Sequence, residues 1–323
     1  MNYEKLCWIW LWNRERRHAW KQARRVTTHY NGRYIYSGRE GNDVVLRKLQ
    51  EGRPCSIARF GGNELETLAC AFDQRPRRSM VFPDYLKARM KHGAGFFSNT
   101  DELLTRFASE MFQAVRRLDL LAVWNFRTDA EKRIVETYNP TATLVGLDAV
   151  SLETKEGYPW SQYLTGKKVL VIHPFESTIR QQYATKREKI HRNPLILPEF
   201  DLRTLRAVQG IGSGEELKRY ADWFEALNSM CLQIDAIDFD VALIGAGAYG
   251  LLLADYVKRK GKQAVHMGGV TQLLFGIIGE RWEKEHPDSC KKYVNEHWVH
   301  PLPEDTPLSL EKIIAIEDCK AYW

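Results

Sequence analysis

The sequence has no stretch apolar enough to cross a bilayer, no cysteine pair spaced C-x-x-C, no low-complexity segment and no repeat of fixed period. Each absence removes a class of protein. The most apolar run, Leu6-Cys7-Trp8-Ile9-Trp10-Leu11-Trp12, falls far short of the roughly 20 residues a membrane-crossing helix needs. It is a poor signal peptide too. Asn13-Arg14-Glu15-Arg16-Arg17 stands where small residues should precede a cleavage site. The six cysteines (Cys7, Cys55, Cys70, Cys231, Cys290, Cys319) are scattered, which indicates neither a zinc site nor a disulfide framework. Reduced thiols in a cytoplasmic protein are the plain expectation. Basic clusters are missing from the body of the chain. Of the net charge of +6, residues 1–25 supply seven Lys and Arg against Glu4 and Glu15, so the remainder is close to neutral. A nucleic-acid-binding surface would spread its charge over the fold, so no nucleic-acid partner is expected.

What is present is an ordinary globular composition, 44% hydrophobic and 27% charged over 323 residues, enough for a large core. Short apolar runs alternate with helical patterns along most of the length. Cys55–Phe60, Leu120–Trp124, Ala142–Leu147, Lys168–Ile172, Leu205–Gln209, Phe239–Ile244 and Gln263–Met267 read as strands. Asp101–Leu118 is an amphipathic helix with Asn99 or Thr100 as its cap, and Asn42 is placed to cap a helix over Asp43–Leu49. A long helix is expected from Glu215 to about Ile234, and another from Thr271 reaching Arg281-Trp282. Such alternation predicts an α/β fold: a Rossmann-like, doubly wound, mostly parallel sheet with helices on both faces. The expected organisation is a basic, Trp-rich arm over 1–40, an α/β domain over 41–285 and a tail over 286–323 that wraps back on it. The arm suits contact with an anionic membrane surface. It equally suits docking on the body or on a second subunit of a homo-oligomer.

The most pointed stretch is Asp240–Gly276. A strand runs directly into Gly245-Ala246-Gly247-Ala248-Tyr249-Gly250, a helix follows, and a second strand ends at Gly268-Gly269. Glycines between a strand and a helix N-terminus can hold phosphate on backbone N–H groups; they can also simply permit close packing. A dinucleotide site wants an acidic residue at the end of the second strand. Val265, His266 and Met267 stand there instead, so NAD is not expected. A second strand–glycine–helix junction, Arg59-Phe60-Gly61-Gly62-Asn63-Glu64, carries charge. Arg59 can meet a phosphate, and Glu64 a metal or a sugar hydroxyl; Glu64 can also serve only to offset the helix dipole. A third strand ends at His173-Pro174-Phe175, before a helix bearing Gln182 and Arg187.

Together, Ser56–Leu65, Gly166–Phe175 with Gln182-Tyr183 and Arg187, Phe239–Gly250, and Met267-Gly268-Gly269 through Gln272 to Arg281-Trp282 resemble the GT-D-type glycosyltransferases, as does the closing Tyr322-Trp323. The resemblance implies a nucleotide-sugar donor, usually a UDP-sugar, and a glycan or lipid-linked saccharide acceptor in bacterial surface polysaccharide or glycoconjugate synthesis. The expected place is the cytoplasm, with residues 1–25 as the contact to the inner face of the membrane. Members of that family carry an Asp-x-Glu pair after the arginine strand. Here Gly62 replaces the Asp, Asn63 the Gly, and Glu64 alone matches. The residues expected at the donor are Arg59, Gly61, Gly62, Asn63, His173, Arg187, Gly245, Gly247, Tyr249, Gly268, Gly269 and Gln272. Glu64 is the expected catalytic residue and the expected ligand of Mn²⁺ or Mg²⁺. A binding protein of the same fold without turnover, and an NAD(P)-dependent oxidoreductase, are the alternatives.

Overall fold

A computed structural model describes residues 28–124, 128–151, 157–211, 217–307 and 322–323. The proposed membrane contact of residues 1–25 lies outside them. Among the described residues nine strands form one sheet: β1 His29–Tyr30, β2 Arg33–Tyr36, β3 Cys55–Ala58, β4 Leu120–Val123, β5 Thr143–Gly146, β6 Lys168–His173, β7 Asp201–Arg206, β8 Val241–Ile244 and β9 Gln263–His266. Their order is β1-β2-β5-β4-β3-β9-β8-β6-β7, and every pairing except β1–β2 is parallel. This is the doubly wound α/β sheet the strand–helix alternation predicts.

The strands are apolar at nearly every position because both faces of the sheet are covered. Side chains alternate between faces with period 2. Ala58, Leu121, Val123, Leu170, Ile172, Ala242 and Ile244 point into one core, with residues of helices Gly62–Asp73, Asp101–Val115, Trp223–Asp235 and Gly250–Arg259. Cys55, Ile57, Leu120, Ala122, Val169, Val171, Val241 and Leu243 point into the other, with residues of helices Gly38–Gln50 and Glu176–Ile190 and with Trp323. Parallel strands joined by right-handed crossovers give this segregation: connections stepping one way along the sheet cover one face, those stepping back cover the other.

Several boundaries differ from expectation. Residues 29–36, inside the expected arm, form a hairpin. Its turn is Asn31-Gly32, both at positive φ, 46° and 78°, the conformation that matches strand twist in a two-residue loop. Asn42 caps nothing. It sits within helix Gly38–Gln50, accepts from Trp160 N at 2.7 Å and donates to Tyr158 O at 2.8 Å, pinning a distant segment. Strand β7 starts at Asp201, four residues early. The helix expected from Glu215 begins at Trp223, because Asp222 caps it by accepting from Phe224 N and Glu225 N. Glu215 itself, with Gly212-Ser213-Gly214, lies outside the described residues. The helix expected from Thr271 stops at Leu274. Gly276 then takes φ +66°, Ile277 bridges to Val299, and a separate helix covers Glu280–Glu285. Residues of the 286–323 segment lie on the body: Trp298 Nε1 donates to Ile190 O at 3.0 Å, and Asp305 and Trp323 are buried. Among the described residues no helix is long and apolar enough to cross a membrane.

Candidate functional site

The carboxyl ends of β3, β9, β8 and β6 lie side by side. From β3 and β8 the chain passes to the first face, into helices Gly62–Asp73 and Gly250–Arg259. From β9 and β6 it passes to the second, through Leu274 and Phe275 and through Ile179. Neighbouring strands whose connections diverge leave a crevice at their ends, the usual ligand position of such sheets.

At the β3–β9 part of this edge stands Arg59, half-buried. Its Nε donates to Phe60 O at 3.0 Å, and its guanidinium carbon lies 4.7 Å from the centre of the Trp124 ring. Gly268, at φ +67°, faces it so closely that a Cβ there would stand 3.3 Å from Nη1. Arg59 makes no ion pair among the described residues. Burial pulls its pKa down, while the fields of Glu64, Tyr322 and Glu131 act the other way; an arginine stays charged throughout. Trp124, at the end of β4, is held on two sides. Its indole N–H donates to Phe60 O at 2.8 Å, and its backbone N–H donates to Glu131 Oε2 at 2.9 Å. Tyr30 of the hairpin donates to that same carboxylate oxygen at 2.7 Å. The small antiparallel ribbon thus props the aromatic ring on which Arg59 lies.

The rest of that junction is turned inward. Gly61 is the N-cap of helix Gly62–Asp73, which makes Glu64 its N3 residue. The Glu64 carboxylate, 6% exposed, folds back over Gly61, where a Cβ would stand 1.9 Å from Oε2. That is the geometry of an N3 glutamate reaching for the start of its own helix. Asn63 is engaged by Arg89, accepting from Nε at 3.1 Å and Nη2 at 2.8 Å and donating to Arg89 O. On the β9 side, Gly269 lies under the Tyr322 ring, with 2.6 Å from a would-be Cβ to Cε1. Gln272 is buried and donates to Ile277 O and Tyr322 O, both at 3.2 Å. Its amide nitrogen fastens this wall.

The β8–β6 part of the edge is filled by the chain itself. A Cβ on Gly245 would meet His173 Cδ2 at 2.6 Å and Thr271 Oγ1 at 2.7 Å; one on Gly250 would meet the His266 ring at 2.0 Å. Gly247, at φ +51°, lies beside Ala94 O, and that carbonyl accepts from Ala248 N at 3.4 Å. A backbone carbonyl therefore occupies the place at the helix start where the glycine pattern predicts a phosphate. Tyr249 is buried and stacks on Trp223, ring centres 4.3 Å apart. This turn packs closely against helix, strand and loop. The start of helix Glu176–Ile190 is likewise taken. Asp305 accepts from Thr178 N at 2.7 Å, Thr178 Oγ1 at 2.6 Å and Arg206 Nη2 at 2.6 Å.

His173 is buried, and its Nδ1 accepts from Phe175 N at 3.0 Å, which puts the ring proton on Nε2. Burial pushes its pKa down to about 3, so it stays neutral and is a poor base near neutral pH. His266 is also held at about 3, by burial and then by the charge of Arg59; its Nδ1 bonds Ile244 O at 3.1 Å. Arg187 is not in the crevice. It sits 11 residues into its helix, about 16 Å down the axis, and pairs with Glu188 and with Glu199 beside the amino end of β7.

The edge thus brings together Arg59, Gly61, Gly62, Glu64, Gly268 and Gly269 at its β3–β9 part, with His173, Gly245, Gly247 and Tyr249 at its β8–β6 part. Trp124, His266, Ala94, Tyr322 and Asp305 were not foreseen in these positions. Trp124 alone had a signal, an aromatic residue closing a strand on the same edge. The residues present do not fit a divalent cation. Among the described residues no three His, Cys, Asp or Glu side chains cluster. The junction carries one carboxylate, folded over its own backbone, whereas Mn²⁺ or Mg²⁺ bound with a diphosphate takes one or two carboxylates that reach it.

No protein-family model matches the chain, and no curated protein matches it. A solved structure described as "Selenomethionine substituted structure of domain of unknown function 1792 (DUF1792)" is similar over 84% of this chain and 92% of its own, with a TM-score of 0.41 and 11% identity. The likeness is loose, and the fold assignment stands on the topology of the sheet itself.

Proposed function

We propose that this protein is a glycosyltransferase that moves a sugar from a nucleotide-sugar donor, a UDP-sugar, to a glycan or lipid-linked saccharide acceptor. The observation that carries the reading is Arg59: a half-buried guanidinium without an ion pair among the described residues, at the carboxyl end of a parallel strand, against Gly268 and Trp124. A desolvated cation in that position is arranged for an anion. The resemblance of the junctions around it to GT-D-type enzymes supports a sugar diphosphate as that anion, in surface polysaccharide or glycoconjugate synthesis at the inner face of a bacterial membrane.

In the proposed reaction an acceptor hydroxyl oxygen forms a bond to the anomeric carbon. The bond from that carbon to the β-phosphate oxygen breaks, and its electron pair leaves with the diphosphate. The hydroxyl proton passes to solvent or to the departing phosphate. Arg59 neutralises the charge that develops on the leaving group, where a fixed cation acts most strongly. Glu64 is a positioning residue. It fixes the turn that carries Arg59, and its charge helps keep the guanidinium protonated.

Release of UDP from a panel of UDP-sugars, with and without saccharide acceptors, tests the reading. Arg59→Ala is expected to lower turnover by about 100-fold with the fold retained. Saturable binding of NADH, with none of UDP or UDP-sugars, would overturn it. A second reading, a protein that binds the same ligands without turning them over, is favoured by Gly62 standing where the family carries its aspartate. Tight UDP-sugar binding with no turnover of any donor would select it.

A further inference from the structure

We infer that this site holds the diphosphate of its donor with the fixed cation Arg59 and uses no divalent metal ion. The inference rests on the glycosyltransferase reading above and adds to it the means of charge neutralisation.

Three features of the β3 junction carry it. Gly62 has no side chain to offer a metal. Asn63 spends its amide on Arg89 through three hydrogen bonds. Glu64, at N3, turns its carboxylate onto Gly61 and the start of its own helix. The junction thus points one charge of fixed sign toward the crevice, and it is positive. Arg59 sits between the face of Trp124 and the backbone of Gly268, and Trp124 is itself tied to Phe60 O and Glu131. The cation is held in place before any ligand arrives. That preorganisation is what a metal site otherwise obtains from its ligands. His266, the next ring along the edge, bonds Ile244 O through Nδ1 and is packed against Gly250, so it is not arranged as half of a metal-binding pair with Glu64.

Calorimetric titration of the full chain with UDP, in EDTA and again in Mn²⁺ or Mg²⁺, tests the inference. The dissociation constants are expected to agree within about threefold. Arg59→Ala should weaken binding by about tenfold or more under both conditions. Arg59→Lys, which keeps the charge but loses the planar fork, should fall between. A cooperative melt for each variant separates lost binding from lost fold. UDP binding that needs the metal overturns the inference and leaves the glycosyltransferase reading standing. Binding in EDTA that is indifferent to both substitutions overturns the role given to Arg59. Failure of the folded wild-type protein to bind UDP or any UDP-sugar under either condition overturns both readings.

Discussion

The two parts of the crevice edge are built from the same grammar, a buried parallel strand, a glycine turn and a helix, yet they differ in what fills them. At β8 and β6 the turn glycines receive His173, Thr271, His266 and the carbonyl of Ala94, and a helix start is closed by Asp305. At β3 and β9 the glycines face Glu64, Tyr322 and Arg59 itself, and Arg59, with no ion pair among the described residues, lies against an aromatic face and a backbone. The stronger glycine pattern marks the part of the edge already satisfied from within. The weaker one has a charged side chain next to it, half-buried and without an ion pair among the described residues.

The comparison can be broken most sharply at Gly250. Glycine to alanine inside a helix ordinarily stabilises by about 1 kcal/mol. Here the added methyl would enter the His266 ring, so Gly250→Ala is expected to destabilise by about 3 kcal/mol in urea unfolding. A stable Gly250→Ala protein that loses UDP affinity would restore the phosphate reading of that turn. Asp305→Ala removes the acceptor of three backbone or hydroxyl donors and of Arg206, at about 2 to 3 kcal/mol. It also empties a helix start, so sulfate should raise the melting temperature of the variant and not of the wild type.

The buried histidines give the pH arm. His173 and His266 have folded pKa values near 3 against an ordinary value of 6.5. Between those limits the unfolded chain binds more protons than the folded one, so stability is complete above pH 6.5 and declines as pH falls toward 3. The loss expected by about pH 5 is on the order of 2 kcal/mol for each ring. Melting curves from neutral pH down to that point check it; replacing either ring by Asn or Gln should flatten the slope, and an unchanged slope in both variants would show that other groups titrate. The smallest effect lies on the open side. Trp124→Phe gives up the indole hydrogen bond to Phe60 O and weakens the contact with Arg59, a cost of about 1 kcal/mol by denaturant titration. No change would mean that the ring does not hold the cation.

Strands β3, β6, β8 and β9 and the helices after the first three are legible because their apolar runs and glycine stops are local signals. The hairpin was missed although Asn31-Gly32 is a strong turn signal, since its two flanking runs are only two and four residues long. Asn42 looked like a cap by sequence and is spent on Tyr158 and Trp160, more than 110 residues away. The same holds for the site. Arg59 could be picked out from its strand end. The filling of the glycine turn by Ala94 and of a helix start by Asp305 could not, because each joins segments far apart in the chain. Gln272 and Arg187 were chosen by pattern. One is consumed in a turn and the other faces the amino ends of the strands, and pattern alone does not say which end of a helix meets a ligand.

The ladder between β3 and β9 has a further consequence. Among the described residues, every strand before Val150 lies on one side of it and every strand after Tyr158 on the other, and only Cys55↔Gln263, Ser56↔Ala264 and Ile57↔Val265 link the two sides as neighbouring strands. Arg59 comes from the first side and Gly268 from the second, so the crevice is a seam between two half-sheets. If the chain were divided between those halves, the nucleotide-sugar proposed for the intact protein would act across the cut, and its affinity would be read out as reassociation of the two fragments.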